Sequence, residues 1–413
     1  IGNTSHLIVS SSSYGDVSNG IIIADNKVDA VIDDSFLFPS SLSSSVSSSR
    51  KEEIRHFVSA TLGSNMVLQR DRPVPIWGFS SQPGTVITTT LRYHNHYDTD
   101  TDTDPDSDNN TKKNKNSYTD VELTTTASSD ITEKGIWRQL LPPHPASMDP
   151  MTIIIESTTN TTNTHGESAT FTNVLFGDVY ICGGQSNMQF SIPATTNATE
   201  EAHLANNYPH IRLFTVGQKT ASPNKTVEDL QSIEQSWTEA TAHSVCHECG
   251  TNASAHPFTY FSAVCWLFGR EVSEGLHNTV PIGLISNNWG GTELEAWQPS
   301  GRLYNAMIYP YLMGPMAITG FTWYQGEANT KNQASAEAYA IHFPAMIQSW
   351  FQGFNLTTTG GYFGFVQLST WCAGNIEAIP EMRQAQLSAL ALNDDDRPYQ
   401  IGYATNADHG AGC

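Results

Sequence analysis

The chain has 413 residues and a formal net charge of −21 at pH 7, because 41 aspartates and glutamates outnumber 20 lysines and arginines. A nucleic-acid or anionic-membrane partner is disfavoured, since both carry the same sign of charge and would repel the protein. The length allows two or three domains with sizeable cores. No stretch of the sequence is apolar over the length that a membrane span needs.

The amino-terminal part of the sequence is polar at first and then β-rich. Residues 1–50 contain serine clusters and short apolar patches that cannot offset the entropy cost of ordering, so we predict a mostly disordered extension. In residues 51–175, short apolar or β-branched runs separated by Gly and Pro predict a small antiparallel β-sandwich. Residues 95–117 are rich in aspartate but lack the glycine and terminal glutamate of an EF-hand loop, which favours a solvated hairpin insertion over a calcium site.

Strand and helix patterns alternate over residues 176–413. The alternation is typical of a mainly parallel sheet that helices cover on both faces, so the predicted fold class is α/β. Residues 219–256 show little periodicity, which favours a long loop or a disulfide-tied excursion. Strands are predicted at residues 178–182, 211–216, 281–287, 318–324, 363–368 and 399–404, and helices at residues 261–277, 344–351 and 380–392.

The six cysteines are even in number, but the sequence does not say how they pair. Cys246 and Cys249 have the spacing of metal ligands, yet no second Cys or His pair lies at a zinc-ribbon distance. A disulfide or a free thiol is therefore favoured over a metal site. Together with seven Asn-x-Ser/Thr sequons, the cysteines fit a secreted or lumenal glycoprotein.

A serine directly follows the first strand predicted in the α/β part. Gly183 and Gly184 end that strand, and Ser186 comes two residues later. A serine past the carboxyl end of such a strand lies where loops bind substrates, with the amino terminus of the next helix beneath it, which suits a nucleophile. The alternative is that Ser186 only caps the helix, a role in which serine is also common. This short motif alone does not separate the two hypotheses.

Two further strand ends carry glycines and polar side chains. Gly290 and Gly291 follow one strand, and paired glycines let backbone N–H groups approach a ligand, as an oxyanion hole requires. Gln325 and Asn329 follow another and offer amide donors. Taken singly, each motif has a structural explanation as a tight turn or as core. Together with a hydroxyl nucleophile, they suit acyl transfer through a tetrahedral oxyanion.

Several motifs carry a family resemblance, and they run in family order through residues 55 to about 405. They include LFGDVYICGGQSNM at 175–188, WGGT at 289–292, EAW at 295–297, WYQGE at 323–327 and MRQAQ at 382–386. On these motifs the chain resembles the sialate O-acetylesterases, a branch of the SGNH hydrolases related to bacterial carbohydrate acetylesterases and acetylxylan esterases.

The resemblance implies a three-layer α/β/α domain of the SGNH type over residues 176–413, preceded by a β-sandwich-like accessory domain over residues 51–175. It implies a secreted or lysosomal serine esterase that removes O-acetyl groups from a sugar or glycan, foremost sialic acid, through an acetyl-enzyme. No metal or organic cofactor is implied. The alternatives are an acetylxylan or other polysaccharide acetylesterase, and a carbohydrate-binding glycoprotein without catalysis. Arg302 and Arg383 are candidates for recognising a sialate carboxylate.

Carried over residue by residue, the resemblance implies that Ser186 is the nucleophile. The oxyanion hole is then formed by the N–H groups of Ser186 and Gly291 and by the side-chain amide of Gln325. Contacts with the substrate are expected from the residues that flank these groups, namely Gln185, Asn187, Trp289, Glu327 and Asn329.

The catalytic base departs from the family pattern. The family places a histidine followed by proline near the carboxyl end of the catalytic domain, and no His-Pro pair occurs after residue 400. Either His409 with Asp408 performs this role in altered form, or the chain ends before the base. The second explanation is favoured, because a serine esterase without its histidine loses most of its rate. In addition, adjacent Asp and His side chains on a strand point in different directions.

Overall fold

The computed structural model describes residues 56–94, 118–127, 135–158, 165–246, 249, 258, 261–370 and 375–406. The predicted amino-terminal extension, the aspartate-rich insertion at residues 95–117, and the residues Asp408 and His409 lie outside the described residues.

The described residues form thirteen β-strands and seven α-helices. The strands are β1 (Val67–Gln69), β2 (Val74–Phe79), β3 (Val86–His94), β4 (Tyr118–Thr126), β5 (Ile136–Leu141), β6 (Ser147–Thr158), β7 (His165–Gly184), β8 (Ile211–Val216), β9 (Ile233–Glu239), β10 (Ile282–Asn288), β11 (Gly320–Tyr324), β12 (Gly361–Gln367) and β13 (Tyr399–Thr405). The α-helices are α1 (Ser186–Gln189), α2 (Ala198–Leu204), α3 (Ala242–Cys246), α4 (Ala263–Gly275), α5 (Gln333–Gly353), α6 (Leu356–Thr359) and α7 (Ala378–Leu387).

The central sheet has the strand order β13-β12-β11-β7-β10-β8-β9. All neighbouring strands in it are parallel except β9, which pairs antiparallel with β8 at the edge. Every residue of β10 is buried, as expected of a parallel strand covered on both faces. The six strands predicted from the sequence are all present. Strand β9 and helix α3 were not predicted, because they lie in residues 219–256, which the sequence suggested to be irregular.

Helices pack on both faces of this sheet. Gly320 of β11 pairs with Tyr180 of β7 and Phe321 pairs with Ile181, so Tyr180 and Phe321 point to opposite faces. The Tyr180 ring contacts Phe268 of α4 with centroids 5.1 Å apart. On the other face, Phe321 contacts Trp350 of α5, also at 5.1 Å. The predicted fold class, a three-layer α/β/α arrangement with a mainly parallel sheet, is confirmed.

The β-rich part of the chain is continuous with the central sheet through β7. The first part of this strand pairs antiparallel with β6, which pairs with β3 and through it with β4. From Asp178 onward, β7 pairs instead with β10. One apolar core contains both Ile153 of β6 and Ile285 of β10. The domain division predicted near residue 175 therefore falls within one strand, and it stays a prediction.

Two disulfides are present among the described residues. Cys182 of β7 is bonded to Cys265 of α4, which ties the sheet to the helix on one face. Cys246 is bonded to Cys249 just after α3, so this pair forms a disulfide, one of the two states that the sequence left open. In the part of the chain that the structure describes, we find no helix with both the length and the apolar character needed to cross a membrane.

Candidate active site

The turn between β7 and α1 holds Ser186 at the carboxyl edge of the sheet. Gly184 has φ +143°, and a Cβ atom at this position would lie 2.1 Å from the Tyr324 carbonyl oxygen, so only glycine fits. The next N–H, of Gln185, donates to the same carbonyl at 3.0 Å. Ser186 is half-buried and is the first residue of α1, so its own N–H has no partner within the helix.

The strand order reverses beside this turn. From β7 the chain first builds β8 and β10 on one side and later β11, β12 and β13 on the other. In open parallel sheets, ligands bind in the crevice at the carboxyl ends of the strands where such a reversal occurs. Ser186 therefore follows a strand that borders this crevice.

The glycine pair after β10 packs directly against this turn. The N–H of Trp289 donates to the Gly184 carbonyl at 3.0 Å, and the N–H of Gly290 donates to the Gln189 Oε1 atom at 2.7 Å. Gly291 is exposed, has φ +70°, and has open space where a Cβ would be. Of these three consecutive N–H groups, only that of Gly291 has no hydrogen-bond partner among the described residues. It is therefore available to a ligand.

Gln325 joins the three motifs inside the protein. Its Nε2 atom lies 3.2 Å from Gln185 Oε1, 3.1 Å from the Thr292 carbonyl oxygen and 2.9 Å from Asn329 Oδ1. Its Oε1 atom accepts from the Tyr339 hydroxyl at 2.9 Å. The two amide hydrogens therefore have three protein acceptors. An oxyanion contact from Gln325 would require one of these bonds to be exchanged.

Gln185 and Asn329 belong to the same buried network. The exposed fractions are 3% for Gln185, 0% for Gln325 and 4% for Asn329. Gln185 Oε1 also accepts from the Ala328 N–H at 3.1 Å. Asn329 accepts from the Leu294 N–H through Oδ1 and donates to a Glu295 carboxylate through Nδ2, both at 2.9 Å. The structure thus brings these predicted site residues together as a support for the strand ends.

Asn187 and Glu327 form a second polar pair next to Ser186. The Asn187 Nδ2 atom donates to Glu327 Oε1. Burial raises the pKa of Glu327 to about 7, although the hydrogen bond from Asn187 acts against that rise. Its Oε2 atom is buried and has no hydrogen-bond partner among the described residues. A carboxyl group that changes charge near neutral pH therefore contacts the residue that follows the predicted nucleophile.

The aromatic residues near the site differ in their accessibility. Trp297 and Trp323 are fully buried and pack edge to face with centroids 5.8 Å apart, so they are core residues. Trp289 is only half-buried, as a substrate contact requires. Phe258, which the sequence did not single out, is 43% exposed, and its ring centroid lies 6.2 Å from that of Phe190.

The sequence analysis also missed Gln189, whose side chain accepts the Gly290 N–H. A sequence signal for it existed, because a residue three positions after Ser186 lies on the same face of a helix.

The carboxyl end of β13 reaches the same edge of the sheet. Asn406 donates through Nδ2 to the Tyr324 hydroxyl at 2.8 Å, and Tyr324 is the residue whose carbonyl accepts from Gln185. Asp408 and His409 follow but lie outside the described residues. Within the described ranges, no group of three or more His, Cys, Asp or Glu side chains is arranged to hold a metal ion.

Comparisons with known proteins agree on one family. A family model described as carbohydrate esterase, sialic acid-specific acetylesterase, matches residues 176–394. The sialate O-acetylesterases of Pongo abelii and of Homo sapiens are each 31% identical over 345 residues, which cover 75% of this chain and 56% of theirs. The chain thus spans little more than half the length of these relatives.

A solved structure of a carbohydrate acetylesterase from Xanthomonas citri has the same fold. It is 25% identical, with a TM-score of 0.62, and the match covers 85% of this chain and 68% of that one. The family model covers more than half of the chain and includes the turns that carry Ser186, Gly291 and Gln325. The chain belongs to the carbohydrate esterase family of sialic acid-specific acetylesterases.

Proposed function

We propose that this protein is a serine esterase that removes O-acetyl groups from sugars, with O-acetylated sialic acid as its substrate. The observation that carries the proposal is the position of Ser186. It begins a helix at the reversal of strand order, beside an exposed Gly291 N–H that has no partner among the described residues. A nucleophile next to a preorganised backbone donor is the arrangement that acyl transfer needs.

In the proposed reaction, the Ser186 Oγ atom attacks the acetyl carbonyl while its proton passes to a histidine. The negative charge on the tetrahedral intermediate is stabilised by the N–H groups of Ser186 and Gly291. Collapse breaks the bond to the sugar oxygen, which takes the proton from the histidine, and leaves an acetyl-enzyme. Water then attacks the acetyl carbon and gives a proton to the histidine; the bond to Ser186 Oγ breaks, the histidine returns the proton to Oγ, and acetate is released.

We assign the base to the segment that follows β13. The hydrogen bond between Asn406 and Tyr324 supports this assignment, since it brings the end of β13 to the edge that carries Ser186. His409, with Asp408, is the candidate within the sequence. Gln325 is proposed to act by joining the three loops, because its amide hydrogens already have protein acceptors.

Arg383 is the better of the two candidates for recognising the sialate carboxylate. Its Nε atom donates to the Leu368 carbonyl at 2.7 Å, just past the carboxyl end of β12. Arg383 also lies on α7, and this helix is close to the turn that follows β11. The Met382 Cγ atom lies 3.5 Å from the position that a Cβ on Gly326 would take. Arg302 is exposed on a loop, and its backbone carbonyl accepts a hydrogen bond from the Ala221 N–H. Arginine matches a carboxylate through two parallel hydrogen bonds.

A secreted or lumenal location is part of the proposal. Two disulfides are typical of an oxidising compartment. Three of the sequon asparagines, Asn197, Asn224 and Asn355, are exposed, so a glycan could be attached at each.

The proposal is tested by acetate release from O-acetylated sialic acid and from acetylxylan by the full protein, by Ser186→Ala and by Ser222→Ala. Ser222 is an exposed loop serine and is the control. We expect Ser186→Ala to lose more than about 1000-fold in kcat while Ser222→Ala stays active. Equal activity of the wild type and Ser186→Ala would refute the serine mechanism.

Two further outcomes separate the alternatives. A preference for acetylxylan that Arg383→Gln does not change would favour a polysaccharide esterase. Glycan binding with no hydrolysis by the wild type would favour a carbohydrate-binding protein.

A further inference from the structure

A side chain on the nucleophile's own helix binds the glycine turn opposite. Gln189 is the last residue of α1 and follows Ser186 by three positions, so the two lie on one face of the helix. The Gln189 Oε1 atom accepts the Gly290 N–H at 2.7 Å, across 101 residues of sequence. This bond directly connects the helix that presents Ser186 with the turn that presents the Gly291 N–H.

The turn has few other restraints at this point. Trp289 is held by its N–H to the Gly184 carbonyl at 3.0 Å, and its own carbonyl accepts from the Thr292 hydroxyl at 2.7 Å. Between these fixed points lie two glycines, which have more backbone freedom than any other residue pair. Among the described residues, the Gln189 side chain is the hydrogen-bond partner of the Gly290 N–H, the first of these two glycines.

The turn is also close enough to Ser186 for its orientation to matter. A Cβ atom on Gly290 would lie 3.5 Å from the Ser186 Cβ atom and 3.2 Å from Gln189 Oε1. Rotation of the Gly290 peptide changes the direction of the next N–H, because consecutive peptide planes share the Cα atom between them. The direction of the Gly291 N–H therefore depends on where the Gly290 N–H is held.

We propose that Gln189 is a positioning residue for the esterase reaction: by accepting the Gly290 N–H, it aims the Gly291 N–H at the oxyanion that forms on attack by Ser186. This inference rests on the proposed function of Ser186. A donor that is already oriented before the reaction needs no reorganisation in the transition state, and so lowers the barrier. In this role Gln189 acts through the Gly291 N–H and not by direct contact with the reacting atoms.

The acceptor end of Gln189 carries this role. Its Nε2 atom lies 3.5 Å from the Phe258 carbonyl oxygen, which is long for a hydrogen bond, whereas the bond at Oε1 is short. Gln189→Met removes both interactions at similar volume.

The experiment measures kcat and KM on an acetyl ester with the full protein and its variants. It adds the affinity for a boronic acid that forms a tetrahedral adduct with the active serine. We expect Gln189→Met to lower kcat by about 10- to 100-fold, less than the loss of a whole oxyanion donor, with KM unchanged. The boronate affinity should fall by the same factor.

Gln218→Met is the matched control. Gln218 is exposed, and its side chain contacts the carbonyl of Asn288, the last residue of β10, the strand that precedes the glycine turn. It should behave as the wild type. A folded Gln189→Met with kcat within about twofold of the wild type would overturn the proposal, as would a rise in KM alone. If Gln189→Met does not fold, Gln189→Ala decides by the same criteria, since it leaves room for water at the Gly290 N–H. An active Ser186→Ala would instead refute the proposed function.

Discussion

Replacing Cys182 and Cys265 together by alanine removes the disulfide that ties β7 to α4. The bond joins residues 83 positions apart, so it restricts a long loop in the unfolded chain. The loop-entropy relation gives about 4.5 kcal/mol of stabilisation for a loop of this size. Both cysteines are fully buried, so the lost packing adds to this cost.

The second disulfide provides a matched control within the same protein. Cys246 and Cys249 are only three positions apart, and the same relation gives about 1.6 kcal/mol for their bond. The assay is guanidinium unfolding of the wild type and of the two double-alanine variants, followed by tryptophan fluorescence. We expect the variant without the long-range bond to lose about 3 kcal/mol more free energy of unfolding than the control. Equal losses, or a larger loss in the control, would refute the reasoning.

Three further predictions concern titration and backbone geometry. Burial raises the pKa of Glu327 to about 7, so ionisation of this carboxyl group destabilises the fold as pH rises. Relative to Glu327→Gln, the wild type should lose about 3 kcal/mol of unfolding free energy between pH 4 and pH 8. Parallel pH profiles of the two proteins would contradict this. The pKa of His56 is raised, chiefly by its hydrogen bond to Asp229, so its stabilising contribution is full below about pH 6.5 and is lost as pH rises through the folded pKa. His56→Ala should therefore cost more unfolding free energy at low than at high pH, and a pH-independent cost would refute the assignment. Gly184→Ala should abolish soluble, active protein, because the added Cβ would lie 2.1 Å from a backbone carbonyl oxygen of β11. Gly275→Ala is the control: a Cβ at that position meets open space, so this variant should express and react normally.

The parallel strands were the most predictable part of the fold. β8 begins and ends at the predicted residues, and β10 is displaced by one residue, because both are short, largely apolar runs. β9 was missed because half-buried and exposed residues alternate in it at the sheet edge, a weaker pattern than a fully buried run. Helix α5 was predicted to begin at Pro344 but begins at Gln333, since proline within a helix was interpreted as a start.

For the candidate site, the sequence indicated which loops meet but not which atoms face a ligand. Gln325 and Gly291 both follow strands at the same edge, yet one is fully buried and the other is exposed. The difference arises from acceptors that other loops supply, such as the Thr292 carbonyl 33 residues away. Hydrogen bonds between residues so distant in sequence have no local signature, which is also why the contact between Gln189 and Gly290 was not anticipated.

The continuity of β7 limits how this protein can be re-engineered. Its partners change from β6 to β10 between Phe176 and Asp178, inside one unbroken strand, and no flexible linker separates the β3–β4–β6 sheet from the turn that carries Ser186. Exchanging the accessory region for that of a relative would therefore require a graft within the β6–β7 ladder, with its register preserved. A simple fusion at residue 175 would leave the nucleophile's strand without half of its hydrogen-bonding partners.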